Sequence, residues 1–255
     1  GETLAKAKRP MIIVGQGALA RADGRGVLAL AAKAAASCGA VTSEWNGLCI
    51  LHTAAARAGG LDIGFVPREG GLVAARMTEP GALDVLFLLG ADEIDIAPGA
   101  FVVYVGTHGD RGAHRADVIL PAAAYAEKSG TYVNTEGRVQ MGSRAAFPPG
   151  DAREDWAVMR ALSGVLGAPL PFDSLTDLRG ILYKAHPHLA EIEALAPADP
   201  AAVRALAALD APAGKEPFRS AIDDFYLTNP IARASRVMAE CSALAAQRGM
   251  LQAAE

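Results

Sequence analysis

The sequence predicts an α/β fold: a parallel, Rossmann-like sheet with helices on both faces, then a β-hairpin, then a helical C-terminal segment. Three features point to it. Short continuous apolar runs at 11–14, 85–89, 101–105 and 118–120 are closed by Gly15, Gly90, Gly106 and Pro121. Strands covered on both faces need no polar alternation, so such runs read as buried parallel strands. Stretches with helical periodicity lie between them, as parallel crossovers require. Finally, 51% of the 255 residues are hydrophobic, 55 of them alanine, and only 5% are aromatic, which suits helices packed closely through small side chains.

Taken in order, 11–14 is the first strand. Residues 24–37 carry Val27, Leu28, Leu30, Ala31, Ala34 and Ala35 at helical spacing, with Asp23 as N-cap and Cys38-Gly39 as the stop. Residues 40–43 read as a second strand, 48–58 as a helix ended by Gly59-Gly60, and 70–77 as another helix. The three strands at 85–89, 101–105 and 118–120 follow. Residues 131–141 read as a hairpin with Gly137 in its turn. Residues 155–166 are amphipathic, with Trp156, Met159, Leu162, Val165 and Leu166 along one face, and 174–184 form a helix capped by Asp173 or Ser174. Around 194–217 the composition turns to Ala and Pro, a linker with one short helix near 201–209. Asn229 caps a last helix with Pro230 at its first position, running to about Gln247 with Ile231, Ala234, Met238 and Ala245 on one face. The expected organisation is an α/β domain at 1–150, helices packing on it at 151–193, the linker at 194–217 and a C-terminal interaction segment at 218–255.

With 24 basic against 28 acidic residues the net charge is −4, which argues against a nucleic-acid partner. The longest uncharged run, 96–109, is 14 residues and holds Pro98, too short for a transmembrane helix. No signal peptide is expected, and a start without Met reads as a fragment or processed product. Cys38, Cys49 and Cys241 form no C-x-x-C pair and cannot by themselves hold an iron–sulfur cluster; they read as small buried hydrophobes of a reducing compartment.

Three places could carry chemistry. Gly15-Gln16-Gly17-Ala18-Leu19-Ala20 after a strand fits G-x-G-x-x-G/A, with Glu44 where a ribose-binding acid would lie. The turn signal Arg21-Ala22-Asp23-Gly24 favours a structural turn instead, since the helix of a phosphate loop should already be running there. His108-Gly109-Asp110 at a strand end could transfer protons, or be a hydrogen-bonded loop. The five histidines show no metal-ligand spacing, and His186-Pro187-His188 is too exposed in pattern to be a site. The polar stretch 127–140 reads as a charged hairpin in preference to a binding loop. The residues alone give no catalytic, cofactor-binding or metal site.

Longer motifs carry a resemblance. Ala116-Asp117-Val118-Ile119-Leu120-Pro121, Glu127-Lys128-Ser129-Gly130-Thr131 and Asn134-Thr135-Glu136-Gly137-Arg138-Val139-Gln140 resemble the molybdopterin oxidoreductase superfamily. Within it, they look like the large iron–sulfur subunits of respiratory NADH:quinone oxidoreductase, complex I. Lys8-Arg9-Pro10-Met11-Ile12-Ile13-Val14-Gly15, Leu86-Phe87-Leu88-Leu89-Gly90-Ala91-Asp92, His108-Gly109-Asp110 and Pro148-Pro149-Gly150-Asp151-Ala152-Arg153-Glu154-Asp155-Trp156 also fit. Asp224-Phe225-Tyr226-Leu227-Thr228-Asn229-Pro230-Ile231-Ala232-Arg233-Ala234-Ser235 is similar to the tail of the mitochondrial and alphaproteobacterial forms.

The resemblance implies a structural, cofactor-free domain of an enzyme complex that passes electrons from NADH to quinone. The 2Fe-2S and 4Fe-4S clusters are expected in an N-terminal part, and none of their Cys motifs is present here. The implied partners are other peripheral-arm subunits, including the flavin/NADH-binding one. The implied location is the cytoplasmic face of a bacterial inner membrane or the matrix side of the mitochondrial one, without a direct membrane span. The rival expectations are a pterin-binding portion of a formate-dehydrogenase-type molybdenum enzyme and a free dinucleotide-binding domain.

Overall fold

The computed structural model describes residues 2–91, 93–195, 199–218 and 220–253. Asp92 of the quoted motif and linker residues 196–198 lie outside the described residues. The chain runs α1 Glu2–Lys6, β1 Ile12–Gly15, α2 Gln16–Leu19, α3 Gly24–Ser37, β2 Leu48–Leu51, α4 Ala56–Asp62, α5 Ala74–Met77, β3 Val85–Leu89 and β4 Phe101–Gly106. It continues with α6 Arg111–Arg115, β5 Val118–Pro121, β6 Gly130–Val133, β7 Val139–Gly142, α7 Asp155–Val165 and α8 Leu175–Ala185. It ends with α9 Pro200–Ala207, α10 Pro230–Ala234 and α11 Arg236–Ala253. The fold is mixed α/β with parallel sheets, one antiparallel hairpin and helices. Two compact units result, one from 1–64, 131–140 and 191–223, the other from 65–130, 141–190 and 224–255.

In the first unit β1 and β2 pair in parallel, from Ile12 opposite Leu48 to Gly15 opposite Leu51. The helix expected at 24–37 is α3, and its alanines make its buried face: Ala29, Ala32 and Ala35. Helix α9, the short helix of the Ala/Pro segment, packs along it. Gly26 lets backbone cross at contact distance: a Cβ there would lie 2.2 Å from the Pro212 carbonyl oxygen.

Two neighbouring expectations fail. Residues 40–43 are not a strand; Val41 makes one isolated bridge to Asn46 across a turn in which the Thr42 hydroxyl accepts from the Glu44 and Trp45 amides. The strand is β2, at 48–51, where a helix was expected. The alanines at 54–56 extend the apparent helical pattern upstream, but Leu48-Cys49-Ile50-Leu51 gains a full parallel ladder with β1. Gly59 and Gly60 lie inside α4 instead of ending it.

In the second unit β3, β4 and β5 form a parallel sheet in that order, with Val85 opposite Phe101 and Val103 opposite Val118. One face carries the larger core: Leu86, Leu88, Val102 and Tyr104 with Ala113 of α6. The other holds Val103, Val105 and Ala122, against which Met159 of α7 packs. Beyond β5 the backbone is extended by a parallel bridge between Ala122 and Arg153, which delivers the chain into α7. The helix expected at 70–77 is only α5, its N-terminal half lost to Gly70 and Gly71. Val165 and Leu166, assigned to the apolar face of α7, are exposed. Ser174 caps α8, its hydroxyl accepting from the Asp177 amide at 3.1 Å. Asn229 caps α10 as expected, with Pro230 at its first position, but the final helix is broken. Ser235 is extended (φ −85°, ψ 120°), so α10 and α11 are separate and Ile231, Ala234, Met238 and Ala245 do not share one helical face.

Candidate functional site

The loop after β1 is built for packing. Strand β1 enters the single turn α2 directly, and α3 begins only at Gly24, so no long helix points its N-terminus at the strand end. Asp23 sits at the N-cap of α3 but its side chain does not cap. Its carboxylate accepts from the Arg21 Nε at 2.7 Å and from the Gly214 amide at 2.6 Å. These two bonds, Arg21 first, hold the carboxyl down to about 2. Arg21 also donates to the Glu216 and Pro217 carbonyls and lies 4.9 Å from the Phe218 ring centroid. The pair therefore staples the 214–218 segment to the start of α3. Glu44 lies in the turn before β2, not at a strand end.

His108, Gly109 and Asp110 follow β4, but histidine and acid do not face each other. His108 Nδ1 is 2.9 Å from its neighbour's hydroxyl on Thr107, and its carbonyl accepts from the buried Tyr104 hydroxyl at 2.7 Å. The Tyr104 ring lies over Gly106, where a Cβ would come within 2.2 Å of it. Asp110 starts α6, accepting from the Arg111 amide, and also accepts from the Arg233 guanidinium. Burial pushes the Asp110 carboxyl up. The Arg233 bond, the Arg111 amide and the two guanidinium charges outweigh burial and hold it below the ordinary carboxylate value. A group so held is a poor base near neutral pH.

Several polar residues of 127–140 have structural partners. Glu127 accepts from the Ala124 amide at 2.9 Å, closing its own turn. Lys128 pairs with Asp155, the first residue of α7. The Ser129 hydroxyl accepts from the Arg144 amide. In the hairpin turn the Asn134 side-chain oxygen accepts from the amides of Glu136 (2.9 Å) and Arg138 (3.0 Å). Arg138 donates to the Glu193 carbonyl, and Val139 bridges Ile192, so the hairpin also anchors the chain leading into the Ala/Pro segment.

The cysteines are free and half-buried. Burial, helped by the charge of Glu136, pushes the Cys49 thiol up, away from the thiolate a nucleophile needs. His186 and His188 make an edge-to-face contact with centroids 6.1 Å apart. No group of three or more His, Cys, Asp or Glu that could hold a metal occurs among the described residues. Open clefts occur in each unit. One, of about 320 Å³, lies beside the entry to α7 between Phe147, Glu154 and Trp156. The other, of about 280 Å³, lies in the first unit between Leu28, Ile50 and Leu206. Among the described residues no helix is long and apolar enough to cross a membrane.

Sequence reasoning missed Arg233. It lies within a quoted motif, yet its partner Asp110 is 123 residues away, a distance no local spacing rule reads.

Comparison with known proteins gives two family matches in order along the chain. Residues 1–165 match molybdopterin oxidoreductase, and residues 191–241 match the C-terminal region of the NADH-ubiquinone oxidoreductase G subunit. The chain is 43% identical to the mitochondrial NADH-ubiquinone oxidoreductase 78 kDa subunit of Candida albicans, over 94% of this chain and 34% of that protein. It is 41% identical to the mitochondrial NADH dehydrogenase (ubiquinone) iron-sulfur protein 1 of Solanum tuberosum, over 94% of this chain and 32% of that one. It is also 41% identical to the NADH-ubiquinone oxidoreductase 75 kDa subunit of Reclinomonas americana, over 94% and 35%. The chain thus spans about a third of the length of the curated relatives it matches.

Proposed function

The chain belongs to the molybdopterin oxidoreductase family, and on that premise we propose that it is the C-terminal part of the large iron–sulfur subunit of an NADH:quinone oxidoreductase, where it acts by packing and not by redox chemistry. The observation that carries this reading is the succession, in one chain, of the molybdopterin oxidoreductase match and the C-terminal NADH-ubiquinone oxidoreductase match. A pterin-dependent enzyme alone would not explain the second.

The family name implies a pterin cofactor, and in open parallel sheets ligands bind beyond the carboxyl ends of the strands. The residues at those ends do not fit such a group. After β3 and β4 the acids Glu93 and Asp110 are engaged by Arg233. Of the polar residues of 127–140, Glu127, Lys128, Ser129 and Asn134 are bonded to neighbouring turns and to α7, and Arg138 to the Glu193 carbonyl. After β1 and β2, Gln16 Oε1 and His52 Nδ1 are buried without a protein partner. Each is within the capacity of one water, whereas a pterin heterocycle needs an array of directed donors and acceptors. No redox step is assigned to any residue here.

In this reading the clusters belong to the N-terminal part of the parent subunit. The partners are neighbouring peripheral-arm subunits, the flavin/NADH-binding one included, and the location is the membrane surface facing the NADH pool. The hairpin and the segment from Phe225 onward are the surfaces proposed to meet them. Phe225 is 77% exposed and Val237 and Leu244 are also exposed, which suits a surface covered by another chain.

Elemental analysis and NADH turnover test the non-redox role. Purified residues 1–255 should carry neither iron nor molybdenum in stoichiometric amount and should not oxidise NADH. Stoichiometric metal, with or without turnover, would overturn it.

A further inference from the structure

The structure assigns Arg233 as an internal ligand of the parallel sheet: it occupies the place beyond the carboxyl ends of β3 and β4 and latches the segment 224–253 there. This inference stands whether or not the chain works in NADH:quinone oxidoreductase.

The loops leaving two adjacent parallel strands each present a carboxylate, Glu93 after β3 and Asp110 after β4. Two acids brought to one sheet edge repel unless a cation lies between them. The guanidinium of Arg233 is that cation. Its Nε donates to Asp110, and its Nη1 donates to Glu93 Oε1 at 3.0 Å and to the Leu227 carbonyl at 3.2 Å. The planar fork suits this task because it reaches both acids with separate N–H groups, which an ammonium on a flexible stem does less well. A second guanidinium braces the same loops: Arg111 donates to both Asp95 oxygens at 2.9 and 3.0 Å and to the Glu93 carbonyl at 2.8 Å.

The segment is shaped to deliver Arg233. Asn229 caps α10, its side-chain oxygen accepting from the Ala232 amide at 2.9 Å, and Pro230 fixes the first turn. That sets Arg233 one turn in, beside the loops. The segment is also tied to itself, the Ser242 hydroxyl donating to Asp224, whose carboxylate accepts from the Tyr226 amide. Phe225, Val237 and Leu244 remain exposed, so apolar burial by these side chains does not hold the segment down. The side chains of Arg233 and Asp110 are only 22% and 24% exposed, a setting in which a charge-assisted bond is screened less than at the open surface.

Hydrogen exchange on the full chain tests the latch, comparing wild type with Arg233→Ala, Arg233→Glu and Arg233→Lys. The amides of 227–235 should exchange at least about fivefold faster in the Ala and Glu variants, on the scale of one hydrogen-bonded ion pair, and by an intermediate factor in the Lys variant. The β3 and β4 amides should keep wild-type protection. Unchanged exchange at 227–235 in Arg233→Glu would overturn the assignment. Loss of protection throughout β3 and β4 would also overturn it, because Arg233 would then be part of the core of its unit and not a latch upon it.

Discussion

The carboxylate of Asp23 illustrates how the fold uses its charges. A Ser, Asp or Asn before a helix usually spends its oxygen on the first free amides. Asp23 instead takes the guanidinium of nearby Arg21 and the Gly214 amide of a distant segment; both bonds are charge-assisted, and the guanidinium bond is ion to ion. Its carboxyl is held at about 2, and Asp110 and Asp224 are lowered as well, Asp110 despite burial and Asp224 chiefly by the Ser242 hydroxyl. A carboxyl lowered in the folded state stabilises the fold at pH values above its unfolded pKa, about 3.9. That stabilisation is lost as pH falls through the folded value. Stability should therefore fall between about pH 4 and pH 2, and Asp23→Asn should flatten that fall while lowering the neutral-pH midpoint. Thermal melts of both proteins across that range check the sign; parallel curves would exclude Asp23 as a source of the acid sensitivity.

Among the elements, runs with one periodicity and clear punctuation were legible. Helix α3, strands β3, β4 and β5, the hairpin turn and the cap at Asn229 lie where the sequence puts them, and of the two caps it left open for α8 the structure uses Ser174. The errors share a physical cause. Alanine stabilises a helix wherever one forms but does not say where it starts, so 54–58 drew β2 into a helical reading. At 235 one residue leaves the helical region and separates α10 from α11, although the flanking pattern is helical on both sides. At His108 and Asp110 the sequence left proton transfer and a hydrogen-bonded loop open: the two are close in sequence, while the backbone turns them to different partners.

The close approach of backbone to α3 sets a further expectation. In Gly26→Ala, a better helix former gains up to ~1 kcal/mol, less in a first turn. The new methyl, however, would lie 2.2 Å from the Pro212 carbonyl oxygen, a backbone atom that cannot rotate away. Overpacking of this kind costs ~1–3 kcal/mol, so the clash wins. The variant should melt ~2–4 °C lower, the shift expected per kcal/mol for a chain of this length. A midpoint equal to wild type would mean that 212–213 does not cross α3 so closely.

For the whole molecule, composition together with the order of apolar runs and helical stretches reached an α/β protein, and no further. The family became legible only through long motifs, whose match spans residues 1–165 and 191–241. Glu127, Lys128, Asn134 and Arg138 are the polar side chains a binding-site search would select, and each is bonded to its own neighbourhood. The chain covers 34% of the length of its Candida relative. The decisive measurement is the intact mass of the polypeptide that carries this sequence in its native preparation. The expected mass is far above the 26.2 kDa of these residues, roughly threefold by the share of the relatives they cover, in a fraction that oxidises NADH. A free polypeptide of 26.2 kDa, separate from that activity, would overturn the assignment to a larger iron–sulfur subunit.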